Sequence, residues 1–368
     1  MKITVVTPRF TIAGVPLAQQ RFARALAAQG HDVDLVIGYI EPGNQLQELD
    51  DINIINLNKP MARKLLWPLT KYFFIHKPSI IFSAEDHLNI IVLLASIFSF
   101  SNAKVSGSSR VTPFDTYSNI FLSKGWILKQ LTKMLMWRAS VLSCVSQDMV
   151  EQYKEVFTNP PHICIYNIVD DKDSRKKMLY PQNHPWLVNK KCPVIIGAGK
   201  LAEWKGFDNL IQALAECKKR IEIKLIILGD GPLKAKLSSQ IRELNLQDCV
   251  ELAGYVDNPL NFYSKADVFV LSSRVEGLPN VLVEAMMCGC TPVSTDCPTG
   301  PKELLQNGKY GYIVPVDDSK KLADAIITAI GNPIDQEKLE EAVRPFEENN
   351  VINSHFKALG LTDDSNLR

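Results

Sequence analysis

Two doubly wound α/β domains in tandem are the fold this sequence predicts, and three observations carry the prediction. Short apolar runs alternate with helical segments along most of the chain, one polar, proline-bearing stretch interrupts the alternation, and glycines stand directly after several of the runs. A length of 368 residues suits two cores of ordinary size. Hydrophobic residues make up 46% and charged residues 22%, the balance of a soluble globular protein, and a net charge of +1 gives no global field suited to nucleic acid.

In chain order, Lys2 to Thr7 reads as a buried strand, Phe10 to Pro16 as a loop containing Gly14, and Leu17 to Gln29 as a helix stopped by Gly30. The strand does not read as a signal peptide, because Pro8 and Arg9 end the apolar run early. His31 to Gly38 is the next strand, which completes the crossover unit of a parallel sheet and puts Gly14 at a carboxyl edge, where such sheets bind ligands. Further strands are expected at Ile52 to Leu57, Ser79 to Ser83, Ala103 to Ser106, Val141 to Val145 and His162 to Tyr166, with helices at Leu65 to His76 and Gln147 to Val156. Asn89 to Phe100 is apolar but well short of the ~20 residues that span a bilayer, so it reads as a buried helix.

After the strand ending at Ser83 come Glu85, Asp86 and His87. Two readings stay open: His87 between acids as a base or sugar-hydroxyl ligand, or Asp86 as a helix cap with His87 on the surface. Arg110, after the following strand, is a candidate for an acceptor anion. Residues 61–77 and 118–138 hold lysines, arginines and large apolar side chains but no acid. They fit an anionic membrane surface, or equally two amphipathic helices showing solvated basic faces.

Asp170 to Lys191 is polar and lacks periodicity, so the domain boundary is expected there, with a first domain over 1–180 and a second over 192–342. In the second domain, strands are expected at Pro193 to Ala198, Ile223 to Leu228, Val250 to Leu252, Val268 to Leu271, Thr291 to Ser294 and Gly311 to Val314. The intervening helices are Phe207 to Cys217, Leu233 to Leu244, a short turn at Asn258 to Ser264, and Ser319 to Ile330. Two such domains facing one another would form a cleft. The eight cysteines lack CxxC pairs and lie partly in apolar runs, so reduced thiols in a cytoplasmic protein are expected and no metal site.

Chemistry concentrates in the second half. Glu276-Gly-Leu-Pro-Asn-Val-Leu-Val-Glu284 follows an apolar run and becomes a helix, whose free N–H groups suit phosphate while its two carboxylates suit hydroxyls. A nucleotide sugar has that layout. Gly199-Lys-Leu-Ala-Glu-Trp-Lys-Gly206 places Lys200 and Lys205 in one loop, where both would meet a diphosphate. It is not a Walker A loop. Gly229-Asp-Gly-Pro232 is a turn that lets a ligand approach backbone, and Gly254-Tyr255-Val256 follows the next strand, where its backbone would face a base edge.

As a set and in this order, those motifs together with Thr295-Asp-Cys-Pro-Thr-Gly-Pro-Lys-Glu303 resemble the C-terminal half of the retaining GT-B glycosyltransferases of family 4. The resemblance is dense from Val194 to Ile330; in the first half it rests on the initial strand, Gly14 and Ile165-Tyr-Asn167. It implies two facing Rossmann-like domains, with a C-terminal helical stretch within Asp335 to Leu359 returning to the first domain at about 343–361, and a frayed tail from Thr362 to Arg368. Glu276 and Glu284 match the two ends of the family's EX7E motif, on donor sugar and ribose. Lys205 matches the diphosphate lysine, and Lys200 stands where many members have arginine, which keeps the charge without the planar fork. Asn280, Val281 and Leu282 would offer backbone N–H groups to phosphate. Gly199, Gly229, Tyr255 and Val256 would line the donor site with Gly14, where many members carry a glycine pair and this chain has Ala13 before Gly14. His87 matches a family histidine near the donor sugar, and Glu85 and Arg110 fall to the acceptor.

The implied activity is metal-independent retaining transfer from a UDP-sugar, a substrate rather than a cofactor. The expected acceptor is a glycan hydroxyl in bacterial surface polysaccharide or glycoconjugate synthesis, and the two basic aromatic segments suggest that it is lipid-linked at the inner face of the cytoplasmic membrane. A nucleotide-sugar epimerase on the same architecture and a non-catalytic nucleotide-sugar-binding module are the competing readings; the second would have lost Glu276 or Lys205, and both are present.

Overall fold

The computed structural model describes residues 1–10, 14–41 and 52–361. Part of the expected Phe10 to Pro16 loop, Ala13 with it, and the expected tail at 362–368 lie outside those residues. The chain divides into two compact units, Met1–Ile168 with Glu348–Arg368, and Val169–Glu347.

The first unit contains β1 (Lys2–Thr7), β2 (Asp32–Ile37), β3 (Ile52–Asn56), β4 (Ile80–Ala84), β5 (Lys104–Ser109), β6 (Val141–Cys144) and β7 (His162–Cys164). They form one parallel sheet in the order β3-β2-β1-β4-β5-β6-β7. Strand alternation sorts the core between its two faces. Ile3, Val5, Ile80 and Phe82 pack with Phe22 and Leu26 of helix Gly14–Ala28, while Val6 and Ile81 pack with residues of helices Leu66–His76 and Asp86–Phe98. Covered on both faces, the central strands can be apolar throughout. The order reverses between β1 and β4, and the loops after those strands therefore stand at the switch point.

The second unit repeats the plan with β8 (Val194–Ala198), β9 (Lys224–Leu228), β10 (Val250–Gly254), β11 (Val268–Leu271), β12 (Thr291–Thr295) and β13 (Tyr312–Val314). Its parallel order is β10-β9-β8-β11-β12-β13, with the reversal between β8 and β11. Ile195, Leu225, Ile227, Val268 and Val270 pack against helices Phe207–Lys218 and Ser319–Gly331.

Three expectations need correction. The polar stretch Asp170 to Lys191 is not a loose linker: it forms helices Lys172–Lys177 and Pro185–Val188 and belongs to the second unit, so the division falls after Ile168 instead of at 180. Asp171 caps the first of these helices at 2.6 Å from Ser174 N, and Arg175 grips Asp170 through two bonds of 2.7 and 2.6 Å. Asn258 and Asn261 side chains donate to the carbonyls of Lys177 and Pro181. Next, the last helical stretch is two helices, Gln336–Val343 and Glu348–Ala358, because Pro345 has no N–H to continue the first. Only the second returns to the first unit, where Val351 and Ile352 join the core of Ile3 and Phe22. Finally, Gly14 opens a helix at φ 58° instead of lying inside a loop.

Two histidines are buried in the first unit. The His355 ring lies 4.9 Å from Phe22 and 5.3 Å from Phe82, and burial, with the Arg110 charge adding to it, pushes its pKa down to about 3. Burial takes His162 to about 4. Both values lie below the unfolded ~6.5, so their contribution to stability is complete above that pH and is lost as pH falls. Thermal unfolding between pH 7 and 5 should therefore show a stability loss approaching about 1.4 kcal/mol per pH unit for each ring below pH 6.5. His355→Gln should flatten that slope; if neither His355→Gln nor His162→Gln changes it, the rings are not the source.

Candidate functional site

In the second unit, the loops after β8 and β11 meet at the switch point. Lys205 Nζ donates to Glu276 Oε1 at 2.6 Å, and both side chains are largely buried, at 16% and 11% exposure. Ser273 Oγ donates to the same carboxylate oxygen at 2.6 Å, and Thr299 Oγ1 donates to the Glu276 carbonyl. The fold therefore brings together Lys205 and Glu276, the two residues for which the sequence suggests a diphosphate and hydroxyls. Ser273 and Thr299 were not foreseen, since neither stands out until the fold brings it to Glu276.

Glycines make this approach possible. Gly206 follows Lys205 at φ 60°, and a Cβ there would lie 2.1 Å from the Ser272 carbonyl oxygen. Gly229, after β9, has φ 133°, and its Cβ would lie 2.0 Å from the Gly199 carbonyl oxygen. Only residues without side chains allow these loops to pack backbone to backbone. Lys205 lies over Gly199, whose Cβ would come 3.2 Å from Lys205 Cε. Lys200 is exposed, with its ammonium 5.9 Å from the Trp204 ring centroid.

The helix expected after Glu276 is Asn280–Met287, ended at Gly289 (φ 87°), with no acid in its first turn. Its amides are less available than the sequence suggests. Asn280 N–H donates to the Leu278 carbonyl and Leu282 N–H to the Pro279 carbonyl, each at 2.9 Å. Of the three amides named, Val281 N–H is the one to which the structure gives no backbone acceptor among the described residues. The tight entry turn at Pro279 uses up the other two. Glu284 is half-buried one turn further along the helix, and Tyr255 and Val256 follow edge strand β10, with Tyr255 exposed.

In the first unit, Gly14, Glu85, His87 and Arg110 follow β1, β4 and β5, all at the carboxyl edge of the sheet. His87 Nε2 lies 3.1 Å from Glu85 Oε2. Burial raises the Glu85 pKa, and the charges of His87, Arg9 and Arg110 oppose the rise. Burial lowers the Arg110 pKa to about 10, against the pull of Glu85, and its Nε is buried without a hydrogen-bond partner among the described residues. Asp86 does not cap the helix it begins. Its buried carboxylate accepts from Tyr153 (2.7 Å), Ser109 (2.8 Å) and Tyr117 (2.9 Å) hydroxyls. That anchor holds Glu85 at φ 81°, ψ 129°, a conformation costly for a residue with a side chain and one that clusters at functional sites.

The two basic segments form helices Leu66–His76 and Lys124–Leu135. Each buries one face, with Leu69, Tyr72, Phe73 and Leu135 in the core, and leaves other large side chains outside: Trp67 is 69% exposed, Phe121 70%, Met134 67% and Trp137 74%. Trp67 stacks on Phe98 at 5.8 Å, and Arg138 donates to the carbonyls of Ser101 and Ala103, beside Phe100, which is 89% exposed. Among the described residues, no helix is long and apolar enough to cross a membrane.

The model of the family described as glycosyl transferases group 1 matches residues 182–345, nearly all of the second unit. An uncharacterized glycosyltransferase of Methanocaldococcus jannaschii is 30% identical over 332 residues, 77% of this chain and 81% of that one. This chain belongs to the group 1 glycosyl transferases. Another relative of this glycosyltransferase is the N-acetylgalactosamine-N,N'-diacetylbacillosaminyl-diphospho-undecaprenol 4-alpha-N-acetylgalactosaminyltransferase of Campylobacter jejuni, 30% identical over 278 residues, 75% of this chain and 69% of that one. Among solved structures, Anabaena Alr3699/HepE in complex with UDP and glucose superposes with a TM-score of 0.75 at 19% identity, over 98% of this chain and 100% of that one. The lipopolysaccharide outer core galactosyltransferase WaaB does so at 0.73 and 17%, over 98% and 99%. Both likenesses establish the GT-B fold of this glycosyltransferase.

Gly206→Ala in this enzyme should separate the Lys205 and Glu276 loops. A loss of thermal stability of at least about 1 kcal/mol is expected from the forced conformation alone, along with weakened binding of nucleoside diphosphate by calorimetry; wild-type values for both would contradict the geometry.

Proposed function

We propose that this glycosyltransferase moves a hexosyl or N-acetylhexosaminyl group from a UDP-sugar to a hydroxyl of a lipid-linked glycan. The reaction retains anomeric configuration, needs no metal, and serves the assembly of a bacterial surface polysaccharide or glycoconjugate at the inner face of the cytoplasmic membrane. The observation that carries the donor assignment is the Lys205–Glu276 pair at the switch point of the second sheet. In the transfer, the bond from the sugar's anomeric carbon to the diphosphate oxygen breaks and its electron pair leaves with UDP. The acceptor oxygen bonds to that carbon on the same face, and its proton passes to the departing phosphate. Lys205 and Lys200 meet the charge that grows on the diphosphate, with the Val281 amide at the helix start adding to them. The metal-independent reading rests on the family resemblance, and Lys200 and Lys205 offer the positive charge that a metal ion would otherwise supply. Glu276 holds donor-sugar hydroxyls and Glu284 the ribose. His87 is assigned to the donor sugar, and Glu85 and Arg110 to the acceptor.

The names of relatives favour the acceptor class. The Campylobacter enzyme is named for a diphospho-undecaprenol substrate, and other relatives for lipopolysaccharide core and amylovoran biosynthesis. The acid-free basic segments with outward aromatic side chains suit an anionic lipid surface that carries such a substrate.

Purified protein with a panel of UDP-sugars and an undecaprenyl-linked glycan should release UDP only when acceptor is present, with EDTA added; release without acceptor would favour an epimerase or a hydrolase. In that assay Lys205→Ala should lower kcat by about two orders of magnitude or more while the protein stays folded, and near-normal turnover would remove Lys205 from the leaving-group role. Reversing the charges of Lys124, Lys129 and Lys133 together should reduce sedimentation with phosphatidylglycerol vesicles, and unchanged binding would exclude that helix from a membrane face.

A further inference from the structure

Arg274 stands two residues before Glu276, and no motif singles it out. We infer that it is a positioning residue for the donor site, a role that rests on the transferase reading above: it fixes the Lys205 loop against the Glu276 loop. Residues 203–205 form a single 3-10 turn with no side-chain cap, too short to hold a lysine in place by itself. Its three successive carbonyls are each held from one segment of the neighbouring loop. Arg274 Nη1 donates to the Glu203 carbonyl at 2.5 Å, the Arg274 backbone N–H to the Trp204 carbonyl at 2.7 Å, and Ser272 Oγ to the Lys205 carbonyl at 2.9 Å. The turn that carries Lys205 is thus held by residues 272–274, and the same segment leads directly into Glu276.

The rest of the guanidinium is anchored on both sides. Nη2 and Nη1 grip Asp208, in the first turn of the following helix, at 2.8 and 3.1 Å, and Nε reaches both oxygens of Asp317, after β13, at 2.8 and 3.1 Å. The Asp208 bond raises the Arg274 pKa. Although burial works against it, the same bond helps to hold the Asp208 carboxyl below its ordinary range. Two carboxylates around one cation leave Arg274 no spare charge for phosphate. It therefore ties together the loops after β8, β11 and β13 instead of touching the substrate. The geometry needs the planar fork, because a lysine in its place retains the charge but cannot bond Glu203, Asp208 and Asp317 together.

The test is steady-state kinetics on the full-length protein with UDP-sugar and acceptor, normalised to UDP sites counted by calorimetry. Arg274→Lys should lower kcat on the order of 10- to 100-fold, the scale at which small misplacements of a reacting group are felt. The UDP dissociation constant should stay within about threefold and the number of UDP sites at one per chain, because Lys205 and Glu276 are still present. Asp208→Asn should reproduce the loss, and Arg274→Lys with Asp208→Asn together should cost no more than either alone. If Arg274→Ala fails to fold, these milder variants still decide the matter. Turnover per UDP site equal to wild type in Arg274→Lys overturns the positioning role, as does a loss that only lowers the number of competent sites. If the wild type itself neither binds UDP nor transfers sugar, the transferase reading fails and not this one alone.

Discussion

The second unit depends on keeping an ammonium and a carboxylate 2.6 Å apart with little water around them. Lys205 and Glu276 are 71 residues apart in sequence, so the approach belongs to the sheet: β8 and β11 are neighbours at the point where strand order reverses. A partly buried ion pair is satisfied only if its remaining hydrogen-bonding capacity is used, and Ser273 takes one share. The pairing also sets a competition. In the proposed transfer, a diphosphate would take Lys205 from Glu276 and so free a carboxylate for the hydroxyls that arrive with it. The close backbone contacts at Gly206 and Gly229 follow from the same requirement, since a side chain at either position would push the loops apart.

The first unit meets a different constraint. Asp86 is a buried carboxylate made tolerable by three hydroxyls from β5, the 113–117 segment and helix Gln147–Val156. This anchor lies next to Glu85, whose backbone is held in a conformation that side chains rarely adopt. The local cost is accepted where a charged group stands at the switch point of the first sheet, which matches the distribution of strain in proteins that bind ligands at such points.

Most of the fold was legible because its signals are local. β8 and β11 are short apolar runs bounded by polar or turn residues, and helix Gln147–Val156 has its apolar side chains at helical spacing, so both periods can be read directly. β5 was read short: its Gly107-Ser-Ser end carries no apolar signal, and only the neighbouring strands make those positions buried. The stretch Asp170 to Lys191 read as the place of the domain boundary because part of its order comes from side-chain bonds to residues some 80 positions away. The same distinction applies at the site. Lys205, Glu276 and the helix after them lie in recognisable spacings, whereas Arg274, Ser273 and Asp208 matter through partners in other loops. The amides of Asn280 and Leu282 were over-counted, because a helix start read from sequence does not show the turn that consumes them.

The break at Pro345 has a consequence for the newborn chain. The core of the first unit is missing Val351 and Ile352 until the whole of the second unit, the uninterrupted stretch Val169–Glu347, has been synthesised. Emerging from the ribosome, the sheet of the first unit must wait with part of one apolar face, the part met by Val351 and Ile352, uncovered while the second unit acquires all of its own sequence. The order of completion is thus inverted relative to the order of synthesis: a helix made after the second unit closes the unit that precedes it.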